Sequence, residues 1–270
     1  MAKNVDLVCW AMVGYIRERL GIPTQFIEEI PWQEREQLFD AGEIDLCWIC
    51  GLPYVLKADQ ANTKIELLAA PVMYGSRYQN LPIYFSDVVV HSESRFHSFA
   101  DLKAARWAYN EPGSHSGYGL VRYHLATLGE DLSFFRETVE SGGHQFSLHM
   151  ILNRQIDASA IDSTVLEFET LHNPEIGAKL RIIATLGPSP IPPLIISKNV
   201  PVQLRVELRE LLLNMHNEPA GRAILAQGRI VNFVMVQDHC YNAIRHMAAK
   251  AGLIGGLDPS TYGRLDFEIA

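Results

Sequence analysis

The sequence predicts an α/β protein, in which largely parallel strands form sheets that helices cover on both faces. Short apolar runs rich in β-branched residues alternate with helical patterns from one end of the 270-residue chain to the other. The composition, 48% hydrophobic and 20% charged, is sufficient to bury a core. At this length the chain is expected to form one large domain or two modest lobes.

The strands and helices are predicted in order from the period of their apolar residues and from the residues that end them. Gly21 and Pro23 end the first helix, and Gly129 ends another. Strands are expected at residues 5–10, 24–28, 44–49, 65–73, 83–90, 106–109, 158–161, 182–186 and 194–197. Helices are expected at residues 13–20, 32–41, 117–128, 145–153, 163–172, 201–215 and 238–251.

Two segments are predicted to cross between two lobes. The first is the long apolar run at residues 83–90. The second, residues 187–193, contains four prolines, which exclude a helix and favour an extended connector. Lobe one is therefore expected to comprise residues 1–88 and 190–270, and lobe two residues 89–189.

The charge and hydropathy of the chain exclude two classes of partner. The 31 acidic and 23 basic residues give a net charge of −8, which repels nucleic-acid phosphates in the absence of a basic cluster. No apolar run approaches the roughly 20 residues that a membrane-spanning helix needs. Residues 1–20 lack the three zones of a secretory signal, so the chain as it stands is expected in the cytoplasm unless a signal was removed.

Cys47 and Cys50 form a CxxC pair, and the other two cysteines are Cys9 and Cys240. A zinc site needs a second pair of soft ligands at suitable spacing, which Cys9 and Cys240 do not provide. The CxxC pair lies in an apolar run typical of a buried strand, whereas a thioredoxin-like pair opens a helix. The sequence therefore predicts buried free thiols, with no metal and no cofactor.

Residues 110–118, with the sequence NEPGSHSGY, lie between a predicted strand and a predicted helix. A helix that begins after such a turn presents unpaired backbone N–H groups and the positive end of its dipole. The hydroxyls of Ser114 and Ser116 lie beside these groups, so the turn suits a tetrahedral oxyanion without an arginine. The alternative is that one serine merely caps the helix.

Six segments together resemble the phosphate and phosphonate substrate-binding components of ABC transporters. They lie in the same order over roughly residues 40–200, which makes the set more specific than any one motif. In chain order they are GLPY (51–54), YFSDVVV (84–90), FADLK (99–103), NEPGSHSGY (110–118), SGGH (141–144) and IDASAID (156–162).

The resemblance implies a type II periplasmic-binding fold, with a ligand held between two lobes that are each a mixed, mostly parallel sheet. It places Ser114, His115, Ser116 and Gly117 at the Ser-Thr-Ser-Gly turn that holds phosphonate oxygens in the family. His115 replaces the threonine, which removes a hydroxyl and supplies an imidazole. Gln145 stands where some members carry an acidic residue for the ligand amine, so phosphate, phosphite or a small uncharged phosphonate is expected.

Four further side chains are candidate ligand contacts. Asp162 ends a predicted strand, where it either accepts a hydrogen bond from a protonated ligand oxygen or caps the next helix. His144 follows two glycines and either donates to the anion or is structural. Tyr54 and Tyr84 are core aromatics by default, and only the resemblance assigns their hydroxyls to the ligand.

The predicted function is reversible binding of a small phosphorus oxyanion for uptake by an ABC-type permease, without catalysis. The resemblance implies a periplasmic location. A cytosolic ligand sensor and an enzyme on the same scaffold are the alternatives. No Gly-x-Ser-x-Gly elbow and no His-Glu-x-x-His motif supports the enzyme.

Overall fold

A computed structural model describes residues 6–28 and 30–254 of the chain. It confirms the α/β class. The helices are α1 (Asp6–Leu20), α2 (Trp32–Ala41), α3 (Gly51–Ala58), α4 (Leu120–Thr127), α5 (His144–Leu152), α6 (Ser163–His172), α7 (Pro174–Ala178), α8 (Val202–Asn214), α9 (Pro219–Gln227) and α10 (Asn242–Lys250). None of these described helices has the length and apolar character that crossing a bilayer requires.

The strands form two sheets. A four-stranded sheet has the order β1-β8-β2-β9, and a five-stranded sheet has the order β5-β4-β6-β3-β7. The strands are β1 (Leu46–Trp48), β2 (Ile65–Met73), β3 (Ile83–His91), β4 (Arg106–Tyr109), β5 (Glu137–Glu140), β6 (Ala158–Asp162), β7 (Leu180–Pro190), β8 (Leu194–Ser197) and β9 (Ile230–Val234). The two sheets are the centres of the two lobes.

Most of the strand pairs are antiparallel, which corrects the expectation of mostly parallel sheets. The pairs β1–β8, β2–β8 and β2–β9 of the four-stranded sheet are all antiparallel. In the other sheet β3 is antiparallel to both neighbours, β6 and β7. β3 leads the chain into this lobe and β7 leads it out, so these two strands run in opposite directions. Among the described strands the parallel pairs are β4–β5 and β4–β6.

The described part of the predicted strand at residues 5–10 is the first turns of α1, so this prediction is wrong. Val8, Met12, Tyr15 and Ile16 recur at helical spacing and are buried on one face. The predicted strand at residues 24–28 is also wrong, because this segment has no strand partner. It packs on α1 instead, where Thr24 Oγ1 donates to the Val13 carbonyl at 3.1 Å.

The chain passes between the sheets at residues 74–82 and 191–193. β3 belongs to the five-stranded sheet over its whole length, so the first crossing precedes Ile83 and the expected lobe boundary at residue 88 lies too late. The two crossings touch, because Ile191 N–H donates to the Pro82 carbonyl at 3.0 Å. Gln79 and Asn80 in the first crossing have left-handed φ angles of 55° and 56°.

Both sheets have a hydrophobic cluster on each face. In β8, Ile195 packs into one cluster while its neighbours Leu194 and Ile196 pack into the other. In β3, Val89 and Val90 are divided in the same way. The hydrophobic core is therefore divided between two lobes, each built on one sheet.

Candidate anion-binding site

Three parallel neighbours, β5, β4 and β6, end at the same edge of the five-stranded sheet. Each is followed by the start of a helical segment: β5 by α5, β4 by the turn His115–Gly119, and β6 by α6. The carboxyl edge of such strands is where α/β proteins bind ligands. This edge brings together the predicted residues at 114–117, 144 and 162.

The serine turn lies between β4 and α4, where the sequence predicted a turn between a strand and a helix. His115–Gly119 forms a single π-helical turn that continues into α4, and such turns are frequent at functional sites. Ser114 caps it, since its Oγ accepts from Gly117 N–H at 3.1 Å. Ser114 and Ser116 are each 1% exposed, and their Oγ atoms lie 3.5 Å apart. Because the Ser114 oxygen accepts in the cap bond, that bond leaves its hydroxyl proton free to be donated.

His144 lies against this turn. Its Nε2 is 3.1 Å from Ser116 Oγ and 3.5 Å from Asn110 Nδ2. Burial lowers the pKa of His144 to about 3, so the ring is neutral at physiological pH. Its Nδ1 is buried without a hydrogen-bond partner. His144 therefore belongs to the serine cluster and retains hydrogen-bonding capacity.

The imidazole of His115 is directed away from the serine hydroxyls. Its Nε2 lies 2.8 Å from Ser189 Oγ in β7, and both residues are buried. Burial lowers the pKa of His115 to about 3, so this ring is also neutral. His115 thereby ties the turn to the strand that leads out of lobe two. Its Nδ1 is buried without a hydrogen-bond partner, and a direct contact of His115 with an anion remains a prediction.

Asp162 has the capping role that the sequence allowed. Its Oδ1 accepts from the Thr164 backbone N–H at 2.8 Å and from Thr164 Oγ1 at 2.7 Å. Burial raises the pKa of Asp162 to about 6. The carboxyl group is therefore near its titration midpoint at mildly acidic pH. The second predicted role of Asp162, accepting a hydrogen bond from a protonated ligand oxygen, remains a prediction.

The two tyrosines differ in their surroundings. Tyr84 is fully buried, and Ser116 and Asp162 are among the groups that act on its phenol. Burial raises the pKa of Tyr84 far above its usual value, so the phenol is protonated. Tyr54 instead donates to Asp238 Oδ1 at 2.7 Å. The structure brings Tyr84 to the serine cluster and engages Tyr54 elsewhere.

A family model for "ABC transporter, phosphonate, periplasmic substrate-binding protein" matches residues 10–241. The chain belongs to this family. The resemblance found in the sequence is thereby confirmed, as is membership of a family of substrate-binding transport components rather than enzymes.

Two curated proteins align with the chain. The phosphonates-binding periplasmic protein of Escherichia coli K12 is 25% identical over 191 residues, 68% of this chain and 54% of that protein. The probable ABC transporter phosphite-binding protein of Prochlorococcus marinus MIT 9301 is 21% identical over 169 residues, 62% of this chain and 56% of that protein. The alignment thus spans about half the length of each curated relative.

Solved structures of the family confirm the two-lobed periplasmic-binding fold. A Prochlorococcus marinus protein in complex with methylphosphonate superposes with a TM-score of 0.82 at 18% identity, covering 93% of this chain and 94% of that one. A phosphonate-transporter binding protein from Pseudomonas aeruginosa gives a TM-score of 0.83 at 18% identity, covering 96% and 87%.

Two residues beside the serine turn were missed by sequence reasoning. Asn110 is 7% exposed, and its Oδ1 has no partner. The Oγ of Ser189 lies 2.8 Å from Nε2 of His115. Asn110 stood at the head of the recognised turn, which was a usable signal. Ser189 is distant in sequence from the turn, and no local pattern marks it.

Proposed function

We propose that this chain binds a small phosphorus oxyanion, a phosphonate, phosphite or phosphate, between its lobes and delivers it to an ABC-type permease from the periplasm. The observation that carries the proposal is the buried cluster of Ser114, Ser116 and His144 at converging helix starts. Hydroxyl, imidazole and backbone N–H donors in a water-excluded site bind an anion without a formal positive charge.

The helix starts explain how an acidic protein holds an anion. The π-helical turn leading into α4 and the N-terminus of α5 both point their first N–H groups at the same edge, and Ser114 to Gly117 and His144 lie on them. Their dipoles favour negative charge within the first turn. Because both histidines are neutral, these dipoles and neutral donors supply the attraction.

Lobe closure is the proposed signal to the permease. A ligand bound to lobe two and contacted by lobe one favours the closed form by its differential affinity for the two forms. The touching crossings at residues 74–82 and 191–193 are the positions at which the backbone turns. The likeness to a methylphosphonate complex supports the same class of ligand.

Isothermal titration calorimetry with methylphosphonate, phosphite, phosphate and sulfate tests the proposal. At least one phosphorus oxyanion should bind to the wild-type chain, and the double variant Ser114→Ala/Ser116→Ala should lose that binding while keeping its circular dichroism spectrum. Ser133→Ala, an exposed serine in another short turn of lobe two, is the matched control and should bind normally. No binding of any of these anions by the wild type would refute the proposal.

A further inference from the structure

Asn110 lies between the serine turn and the start of α5. It directly follows β4, and its backbone carbonyl accepts from Gly142 N–H at 2.8 Å in the loop before α5. The residue is 7% exposed. Its side-chain amide lies over Gly117, because a Cβ on that glycine would be 2.0 Å from Asn110 Oδ1 and 2.9 Å from Asn110 Cγ. The amide is therefore buried against the serine turn.

The two ends of this amide differ in their partners. Nδ2 lies 3.5 Å from Nε2 of His144, whereas Oδ1 is buried without a hydrogen-bond partner. A buried polar atom without a partner costs free energy and calls for an explanation. An oxyanion oxygen does not satisfy Oδ1, since both atoms accept hydrogen bonds. In this orientation the unpaired end of the amide repels an anion bound next to it.

The position of the proton on His144 decides which end of the amide should face the ring. Burial lowers the pKa of His144 to about 3, so the ring is neutral and carries a single N–H. The proposed function needs this N–H at Nε2, because Nε2 is the ring nitrogen that lies 3.1 Å from Ser116 Oγ. A protonated Nε2 requires an acceptor opposite it. In Asn110 the acceptor is Oδ1 and not Nδ2.

A half-turn of the Asn110 amide about χ2 supplies this acceptor. The two ends of an amide are similar in size, so the rotation exchanges them within the same space. Oδ1 then accepts from His144 Nε2–H, and Nδ2 takes the buried position at which Oδ1 had no partner. The unpaired atom is now a donor, whose hydrogen bond an oxyanion accepts.

We propose that Asn110 binds the oxyanion directly, donating from Nδ2 while its Oδ1 accepts from Nε2–H of His144. The inference rests on the proposed function and adds to it a ligand contact and the tautomer of the histidine. A neutral amide held in place by packing suits a site in which oriented donors, without a positively charged side chain, stabilise an anion.

Calorimetry on three variants tests the contact. Asn110→Ala should weaken methylphosphonate binding by about tenfold or more, because a hydrogen bond to a charged group is lost. Asn110→Asp keeps the shape, replaces the donor with an oxygen and should weaken binding at least as much. Asn153→Ala is the matched control, since Asn153 is exposed at the end of α5 and should not affect binding. Thermal melting confirms that folded chains are compared.

The tautomer of His144 provides a second measurement, made with Asn110 in place. Long-range ¹H–¹⁵N correlation spectra at neutral pH distinguish a proton on Nε2 from a proton on Nδ1, and the His144→Ala variant identifies the His144 signals. With saturating methylphosphonate the proton should be on Nε2. If Asn110 only supports the fold and keeps Nδ2 towards the ring, the proton is on Nδ1 instead.

The outcomes separate this inference from the proposed function. Phosphite or phosphate replaces methylphosphonate in these measurements if wild type binds it more tightly. If wild type binds its oxyanion and Asn110→Ala weakens that binding by less than about threefold, the inference is wrong and the proposed function stands. A His144 ring protonated at Nδ1 in the bound chain also overturns the inference. If wild type binds none of the three anions, the proposed function fails and the inference fails with it.

Discussion

The Ser116 hydroxyl lies 3.1 Å from Nε2 of His144, a residue 28 positions further along the chain. This contact joins the turn after β4 to the first residue of α5, so two helix starts share one hydrogen bond. Neither group carries a charge at neutral pH, because burial keeps the histidine unprotonated. The affinity for an anion should therefore depend on how the hydroxyl and imidazole donors are oriented and not on positively charged side chains.

Replacing His144 with alanine is expected to lower the affinity for the preferred oxyanion by about tenfold or more, because a buried donor to a charged group is lost. Calorimetry measures the change. His149→Ala is the matched control, since His149 lies on the exposed face of the same helix and should leave affinity unchanged. Equal affinity of His144→Ala and wild type would contradict the placement of His144 in the site.

Acid should destabilise the chain through its two buried histidines. The pKa of His115 and of His144 falls from 6.5 to about 3 on folding, so the unfolded chain binds more protons below pH 6.5 and stability is lost as pH falls towards 3. At pH 5 each histidine should cost about 2 kcal/mol relative to neutral pH. Urea unfolding of wild type and His144→Ala at pH 7 and pH 5 checks this, and His144→Ala should lose less stability. Parallel losses in the two proteins would show that His144 is not buried in the neutral form.

Asp162→Asn should improve sulfate binding above pH 6 more than methylphosphonate binding. The pKa of Asp162 is about 6, so its side chain is a carboxylate at pH 8. This negative charge repels sulfate, which is fully ionised, whereas it can accept a hydrogen bond from a phosphonate oxygen that carries a proton. Asparagine keeps the cap on α6. Competition calorimetry at pH 8 measures the ratio of the two affinities. Asp131→Asn, an exposed cap in the same lobe, is the control and should leave the ratio unaltered.

Gly117→Ala should disrupt the site by steric contact. A Cβ at this position would lie 2.0 Å from Asn110 Oδ1 and 3.2 Å from His144 Cε1. We expect weaker oxyanion binding and a melting temperature several degrees lower, since displacing packed groups costs about 1–3 kcal/mol. The control is Gly14→Ala in α1, where no atom lies within 4 Å of the added carbon. It should stabilise the chain by about 0.5–1 kcal/mol, and a Gly117→Ala protein that binds and melts like wild type would contradict the packing.

The sequence predicted the elements around the site better than those at the ends of lobe one. β4, β6 and the serine turn were recognisable because a buried strand, a small-residue turn and a helix start follow one another. Residues 5–10 were misassigned because a short apolar run satisfies both the strand and the helix pattern. The helical face of α1 emerges only when Met12, Tyr15 and Ile16 are read together with Val8.

Other features depend on residues that are far apart in the chain. β5 is mostly exposed and polar, and it is a strand because β4 offers a parallel edge to it. The bond between His115 and Ser189 spans 74 positions. Local propensity contains no information on such partners, so their roles had to come from the three-dimensional structure.

The strand order has a consequence for the folding of the chain during its synthesis on the ribosome. β1 and β2 do not pair with each other, because β8 lies between them. The five-stranded sheet is complete once Pro190 has been synthesised, but β1 and β2 find their shared partner only when Ser197 has emerged, and the four-stranded sheet is complete only with Val234 at the end of β9. The second lobe in the chain is therefore the first able to fold, and during that interval the unpaired edges of β1 and β2 depend on shielding by other parts of the nascent chain or by chaperones.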